Sequence, residues 1–203
     1  MVLNVNMSTW AVTAEGSALD FHNSVSSVDA KSYALSKIAD DRFICFWTGS
    51  GNDGFVQTFS VNTSTWAISE VVSEVEFDTT NATYLTCSQI DQYHYIAAWS
   101  GSGADGFIQT FTVNSSTYAV TAEGTALEFD TTNGTFNSLA KLDSNHFVNT
   151  WAGAGNDGYI RVFEVNLSTW AVTAVGTAAL EFDTTNGSER SCIYMGNGVV
   201  ITF

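Results

Sequence analysis

Proline is absent from this 203-residue chain, although average usage of roughly 5 % predicts about ten. Basic residues are also scarce, because 6 Lys and Arg stand against 21 Asp and Glu and give a net charge of −15. Nucleic-acid binding needs many Lys and Arg side chains to neutralise phosphates, and anionic membrane surfaces attract basic segments. The composition therefore argues against nucleic acid and against an anionic membrane surface as partners.

Cysteines and long apolar runs are scarce as well. The three cysteines, Cys45, Cys87 and Cys192, are too few and too scattered to predict a disulfide framework or a zinc site. The longest apolar runs, such as residues 199–201, fall far short of the roughly 20 residues that a membrane helix needs. The N-terminal residues lack the basic and apolar segments of a signal peptide. We therefore expect no membrane insertion.

A repeat dominates the chain. Trp47, Trp99 and Trp151 are each 52 residues apart, and the block EFDTTN recurs at Glu76, Glu128 and Glu181. Each repeat contains four short strand-like runs, called a to d here, that are joined by turn-rich segments. In the third copy we predict these runs at residues 138–142, 147–152, 159–165 and 169–175. No segment shows a helical period with caps, so the sequence predicts an all-β chain.

Four antiparallel strands in a repeat of about 50 residues are typical of a β-propeller blade. A parallel β-helix is the structural alternative, but its repeats are shorter and would not need three tight hairpins in each repeat. We expect one β-propeller domain over residues 1–203, with four blades as the simplest count. The predicted repeats cover approximately 6–61, 62–113, 114–165 and 166–203 plus 1–5.

The two ends of the sequence bear on how such a ring would close. Residues 1–5 align with the end of strand c, and Phe203 aligns with the repeated tryptophans at the end of strand b. We therefore expect the closing blade to be shared between N- and C-terminal strands, which would remove open sheet edges. Two chains could instead exchange their terminal strands and build an eight-bladed ring. The sequence thus allows a monomer or a strand-exchanged homo-oligomer.

The hairpin between strands b and c carries a resemblance. Its pattern W-x-G-x-G-N/A-D-G-F/Y-x-x-x-F begins at Trp47, Trp99 and Trp151, and it resembles the repeats of propeller lectins of the tachylectin kind. The resemblance covers nearly the whole chain as a repeat pattern, and it implies recognition of carbohydrate such as a cell-surface glycan. The excess of acid and the abundance of Thr, Ser and Asn favour an extracellular or surface-associated setting.

Candidate ligand-binding residues recur with the repeat. The order of the strands places the b–c hairpins and the acidic d–a loops on one rim of the predicted propeller. We expect the tryptophans at the end of strand b to stack on sugar rings and the hairpin aspartates to accept hydroxyl protons. These candidates are Trp47, Trp99, Trp151, Asp53, Asp105 and Asp157. The alternative is that the tryptophans pack in the core and the aspartates serve turns. Three sites are expected, because the fourth copy lacks its hairpin.

Calcium is the one cofactor that the acidic loops suggest, since carboxylates and carbonyls bind hard cations. The candidate ligands are Asp78, Asp130 and Asp183, and Asp20 of the divergent first copy is expected on the same rim. The chain lacks a D-x-D-x-D-G loop, and Asp side chains also cap turns by bonding to their own backbone. Both interpretations of these loops stay open from the sequence.

The residues show no arrangement of nucleophile, histidine and carboxylate, and no metal-ligand spacing. A paired-carboxylate glycosidase depends on distances that a sequence does not give. We therefore expect a non-enzymatic binding module that recognises carbohydrate. The alternative is a structural repeat scaffold of a surface, adhesin or virion assembly that has no small-molecule ligand.

Overall fold

A computed structural model describes residues 1–19, 32–185 and 191–202 of the chain. These residues form five antiparallel sheets, and the described helices are single 3₁₀ turns. The protein is therefore all-β, as the sequence predicts. A closed propeller ring and its blade number stay predictions.

The two ends of the chain form hairpins, and the residues between them form three larger sheets. The N-terminal hairpin contains β1 (Val2–Val5) and β2 (Val12–Glu15). Sheet I contains β3 (Tyr33–Ala39), β4 (Arg42–Thr48), β5 (Gly54–Val61), β6 (Ile68–Glu70) and β7 (Val75–Asp78). Sheet II contains β8 (Thr83–Gln89), β9 (His94–Ser100), β10 (Gly106–Val113) and β11 (Val120–Asp130). Sheet III contains β12 (Thr135–Lys141), β13 (His146–Ala152), β14 (Gly158–Val165), β15 (Val172–Ala174) and β16 (Leu180–Asp183). The C-terminal hairpin contains β17 (Cys192–Gly196) and β18 (Val199–Thr202).

The acidic EFDTTN block lies partly in strand d, whereas the sequence placed it in the connection from d to a. In sheet II, strand d is the single strand β11, and register shifts interrupt its pairing with β10. In sheets I and III the strand is divided, and β7 and β16 pair again with strand c beyond the break. The side chain of Gln109 spans this irregularity by donating to the carbonyls of Glu123 and Gly124. Backbone groups freed by the bulge are thus satisfied by a side chain.

The three larger sheets pack face to face in sequence order. In sheets I and II, strands b and c contain runs of consecutive buried residues, so both of their faces are largely covered. Between sheets I and II lie Phe46, Trp99 and Phe111, and the rings of Phe46 and Phe111 meet edge to face at 4.9 Å. Between sheets II and III, Ile108 packs with Phe163. The core is therefore a series of layers between adjacent sheets.

Hydrogen bonds also join neighbouring sheets at the end of the stack where strand d begins. Thr58 Oγ1 in sheet I donates to the carbonyl of Tyr118 in sheet II at 2.9 Å. Thr110 donates in the same way to the carbonyl of Trp170 in sheet III. These bonds repeat with the sequence, so they fix each sheet relative to the next by the same contact.

The two hairpins do not share a sheet, contrary to the prediction of a closing blade built from both ends of the chain. β1 pairs with β2, and β17 pairs with β18, in separate two-stranded sheets. Met1 lies by Phe43 and Phe59 of sheet I, whereas Val200 lies by Val148 of sheet III. Each hairpin thus lies next to a different large sheet, and many of its apolar side chains stay exposed, such as Leu3 and Ile193. Phe203 and Asp20 lie outside the described residues.

Within the described ranges, no helix has the length and apolar character needed to cross a membrane.

Candidate ligand-binding rim

The b–c hairpins and the ends of strand d meet on one rim of the sheet stack, called the acidic rim here. In sheet I, Gly54 pairs with Asp78 and Phe55 pairs with Glu76. The same pairing recurs in sheets II and III. The acidic side chains are therefore brought together as the order of the strands predicts.

Each b–c hairpin is a tight loop that requires a left-handed residue. Gly51 has φ of 76°, and a Cβ there would lie 3.1 Å from a carboxylate oxygen of Asp53. The amide of Gly49 donates to the carbonyl of Asp53 at 2.8 Å and closes the loop. The positive φ favours glycine at this position. Asp53 and its counterparts Asp105 and Asp157 are half-buried in these loops.

The aspartates proposed as calcium ligands each hold a turn. Oδ1 of Asp78 accepts the amides of Thr80 and Asn81 at 2.9 and 3.2 Å, and it also accepts the Thr80 hydroxyl. Asp130 repeats this arrangement, and Asp183 accepts the amide and hydroxyl of Thr185. Among the described residues, no group of three or more His, Cys, Asp or Glu side chains could hold a metal ion. The structure supports the turn-capping interpretation of these carboxylates, and calcium stays a prediction.

The repeated tryptophans lie in the core. Trp47, Trp99 and Trp151 are at most 1 % exposed, and their rings stack on Phe55, Phe107 and Tyr159. Nε1 of Trp99 donates to Asp78 Oδ2 at 2.8 Å, and Nε1 of Trp151 donates to Asp130 Oδ2 at the same distance. A ring in this position cannot offer its face to a sugar, because packed side chains and an adjacent strand cover it. The core-packing alternative therefore describes these residues better than the stacking hypothesis.

The concentration of acid changes the chemistry of Glu76. Partial desolvation, followed by the negative charge of nearby Asp53, raises the pKa of the Glu76 carboxyl above its usual range. The rim therefore presents many hydrogen-bond acceptors, and its negative potential is unfavourable to anionic ligands.

A polar cleft opens on this rim at the junction of sheets I and II. It has a volume of about 350 Å³ and is lined by Asn52, Asn81, Thr83 and Tyr84. The amide of Ala82 donates to the carbonyl of Asn52 at 2.7 Å, so the sheet I hairpin and the start of β8 are held together. The Asn81 side chain donates to the carbonyls of Ser100 and Gly101, each at 2.9 Å. Its Oδ1 is the acceptor that this side chain retains for a ligand.

Tyr84, the aromatic residue of the cleft, has an unusual backbone conformation. Tyr84 has φ of 52°, and its counterpart Phe136 has φ of 53°. Both residues lie at register shifts in strand a, between Thr83 and Thr86 in sheet II and at the matching place in sheet III. The two rings meet with centroids 4.4 Å apart, and Tyr84 remains 39 % exposed. Left-handed bulky residues are uncommon and are strained, and such strain is often found at ligand sites.

The candidate residues chosen from the sequence thus differ from those that form the cleft. Sequence reasoning missed Tyr84 and Asn52, although the signal was present. An aromatic residue follows the acidic block in TTNATY and TTNGTF, at the same place in two repeats. Its exposure depends on the bulge in strand a and on the positive φ, which an alternating pattern does not reveal.

Comparison with known proteins gives a likeness of fold. No protein-family model matches the chain, and no curated protein is significantly similar in sequence. A protein assigned as a 6-phosphogluconolactonase from Bacteroides fragilis aligns with a TM-score of 0.52 and 15 % identity, over 69 % of this chain and 36 % of its own. A triple arginine-to-alanine variant of AofleA from Arthrobotrys oligospora aligns with a TM-score of 0.51 and 10 % identity, over 84 % and 48 %. A protein assigned as selenium-binding from Sulfolobus tokodaii aligns with a TM-score of 0.50 and 9 % identity, over 70 % and 39 %.

The chain therefore spans less than half the length of each of these solved structures. At such low identity the alignments describe the fold alone. They give no ligand or activity to this chain, and the resemblance to tachylectin-like lectins stays a prediction from the sequence.

Proposed function

We propose that this protein is a non-enzymatic carbohydrate-binding module, built on propeller-like sheets, whose ligand occupies the cleft of Asn52, Asn81, Thr83 and Tyr84. The observation that carries the proposal is the composition of this cleft, in which amide and hydroxyl groups surround an exposed aromatic ring. Such groups suit a ligand that has both hydroxyls and an apolar ring face. The proposed ligand is a neutral saccharide of a cell-surface glycan.

The charge of the rim supports a neutral ligand over a phosphorylated or sulfated one. The carboxylates of Asp53 and Asp78 lie close to the cleft, since Asp53 follows Asn52 and Asp78 caps the turn that carries Asn81. An anion entering there would meet this negative potential, and the net charge of −15 would slow its approach. Sugar hydroxyls, by contrast, can donate to the carboxylate of Asp53 and to Oδ1 of Asn81.

A glycan array tests the proposal, with the wild-type chain compared to Tyr84→Asn. Asparagine tolerates a positive φ, so this variant removes the ring and keeps the backbone. We expect the variant to lose at least about tenfold in affinity, as removal of a central aromatic contact does elsewhere. Tyr93→Ala, at the turn between β8 and β9 on the opposite rim, is the control and is expected to bind normally.

Repeating the array in calcium and in a chelator separates two modes of binding. We expect binding to survive chelation, because Asp78 and Asp130 are engaged by backbone amides and tryptophan side chains. Binding that is lost with the chelator would instead support the predicted calcium site. Normal binding by Tyr84→Asn would contradict the proposed cleft.

A structural scaffold is the second candidate function. The apolar side chains exposed on both terminal hairpins, such as Leu3, Trp10 and Ile193, favour a protein that assembles with other chains. Absence of binding to any glycan on the array would favour this candidate.

A further inference from the structure

Each terminal hairpin leaves one strand edge unpaired. In the described part of the chain, β1 pairs only with β2 and β18 pairs only with β17. In the three larger sheets the equivalents of these two strands lie next to each other as strands b and c. An open edge presents unpaired amides and carbonyls to a further strand. The repeat therefore identifies the missing neighbour of each hairpin as the other hairpin.

The register of such a pair can be read from sheet III. There Val148 pairs with Val162, and Asn149 pairs with Arg161. Val200 occupies the position of Val148 one repeat later, and Val2 occupies that of Val162. The expected pairs between β18 and β1 are accordingly Val200 with Val2, Ile201 with Met1 and Val199 with Leu3.

The side chains along both edges are apolar and exposed. Leu3 is 62 % exposed and Val199 is 52 % exposed. The same is true of further residues on or beside the hairpins, namely Met1, Val5, Val12, Leu35, Ile193, Met195 and Ile201. Two complementary surfaces of this kind would both lose contact with water if the hairpins paired.

A repeated side-chain contact between adjacent sheets also points to the N-terminal hairpin as the missing neighbour of sheet III. The His94 ring of sheet II stacks on Trp170 of sheet III with centroids 3.6 Å apart, and Arg42 of sheet I lies 4.9 Å from the Tyr118 ring of sheet II. His146 of sheet III is the next residue in this series, and Trp10 is the matching aromatic of the N-terminal hairpin. Trp10 is 69 % exposed and has no ring contact within the described residues. His146 is thus the predicted partner of Trp10.

We propose that a second copy of this chain supplies both missing contacts. The C-terminal hairpin of each copy completes a four-stranded sheet with the N-terminal hairpin of the other, and His146 of each copy stacks on Trp10 of the other. Two such junctions are related by a twofold axis, so the assembly closes and leaves no edge of this type open.

Two observations favour a second copy over closure within one chain. In the single chain the hairpins pack on different sheets, I and III, and remain in separate sheets of their own. The chain also aligns with less than half of three longer proteins. Its sheets therefore correspond to only part of each longer chain.

Cysteine cross-linking tests both the register and the partner. The variant Val2→Cys with Val200→Cys, oxidised and run on a non-reducing gel, is expected to give a covalent dimer. The variant Leu3→Cys with Val200→Cys is the register control and should cross-link poorly, because adjacent residues of a strand point to opposite faces. The wild-type chain controls for its three native cysteines. Cross-linking within a single chain would overturn the second copy in favour of self-closure.

Sedimentation equilibrium of the unmodified protein gives an independent measurement. We expect a dimer whose dissociation constant rises at least about tenfold in Trp10→Ala, as for loss of an interface aromatic. Tyr118→Ala is the matched control, because its contact with Arg42 lies within one chain, and it should leave the dissociation constant unchanged. A wild-type monomer at all concentrations, or a dimer insensitive to Trp10→Ala, would overturn the proposal.

Discussion

At the scale of single residues, a carboxylate on the acidic rim has two structural roles at once. Asp78 accepts the buried indole N–H of Trp99 through one oxygen atom and the turn amides through the other. Asp130 does the same for Trp151 in the next sheet. Because a buried donor without a partner is costly, these aspartates link the turn to the core.

The Asp78→Ala variant tests this link. It removes the acceptor of a buried N–H and the cap of the turn, so we expect unfolding to become easier by about 2–3 kcal/mol. Urea unfolding followed by tryptophan fluorescence measures the difference. The exposed Glu74 provides the control, and Glu74→Ala should change stability by less than about 0.5 kcal/mol. Equal effects of the two variants would contradict the structural role of Asp78.

At the scale of elements, strand d is shaped by side chains of strand c. Gln57 and Gln109 donate to carbonyls at the irregularity of strand d in sheets I and II, and Arg161 donates to the carbonyls of Val175 and Gly176 in sheet III. This position of strand c is Gln in two sheets and Arg in the third, but in all three its side chain donates to backbone carbonyls at the irregularity of strand d. This position therefore supports the element that carries the acidic block to the rim.

Replacement of Gln109 by alanine leaves the carbonyls of Glu123 and Gly124 without that donor. We expect a loss of about 1–3 kcal/mol in unfolding free energy, because this side chain is buried. Gln92→Ala, at an exposed turn, serves as the reference and should be close to neutral. An unchanged unfolding free energy in Gln109→Ala would show that water replaces these two hydrogen bonds without a loss of stability.

The thiols of Cys45 on strand b and Cys87 on strand a predict how stability depends on pH. Burial raises the pKa of Cys45 to about 12, and burial followed by the charge of Cys45 raises that of Cys87 to about 12. The folded protein therefore keeps protons that the unfolded chain releases above about pH 9, so stability should fall as pH rises from about 9 to about 12. Urea unfolding at several alkaline pH values measures this fall.

The double variant Cys45→Ala with Cys87→Ala is the control for the thiols. Burial also raises the pKa of Tyr95 to about 12, so part of the alkaline loss should remain in this variant. A pH dependence that is identical in the wild type and the variant would contradict the assignment to the cysteines.

At the scale of the whole molecule, the 52-residue repeat predicts most of the architecture. It predicts the four strands of each large sheet, their order and the rim on which the acids meet, because these follow from alternation and turn residues. It does not predict the divided strand d or the separate hairpins, which depend on bulges and on packing against neighbours. The cleft was missed for the same reason, since Tyr84 faces solvent through a local backbone distortion.

Isothermal titration with the best glycan from the array is the sharpest test of a saccharide site in the cleft of Tyr84. We expect saturable binding with one site for each chain in the wild type and at least about tenfold weaker binding in Tyr84→Asn. Tyr93→Ala should match the wild type in both stoichiometry and affinity. Binding that persists unchanged in Tyr84→Asn, or three equal sites for each chain, would contradict the assignment of the ligand to this cleft.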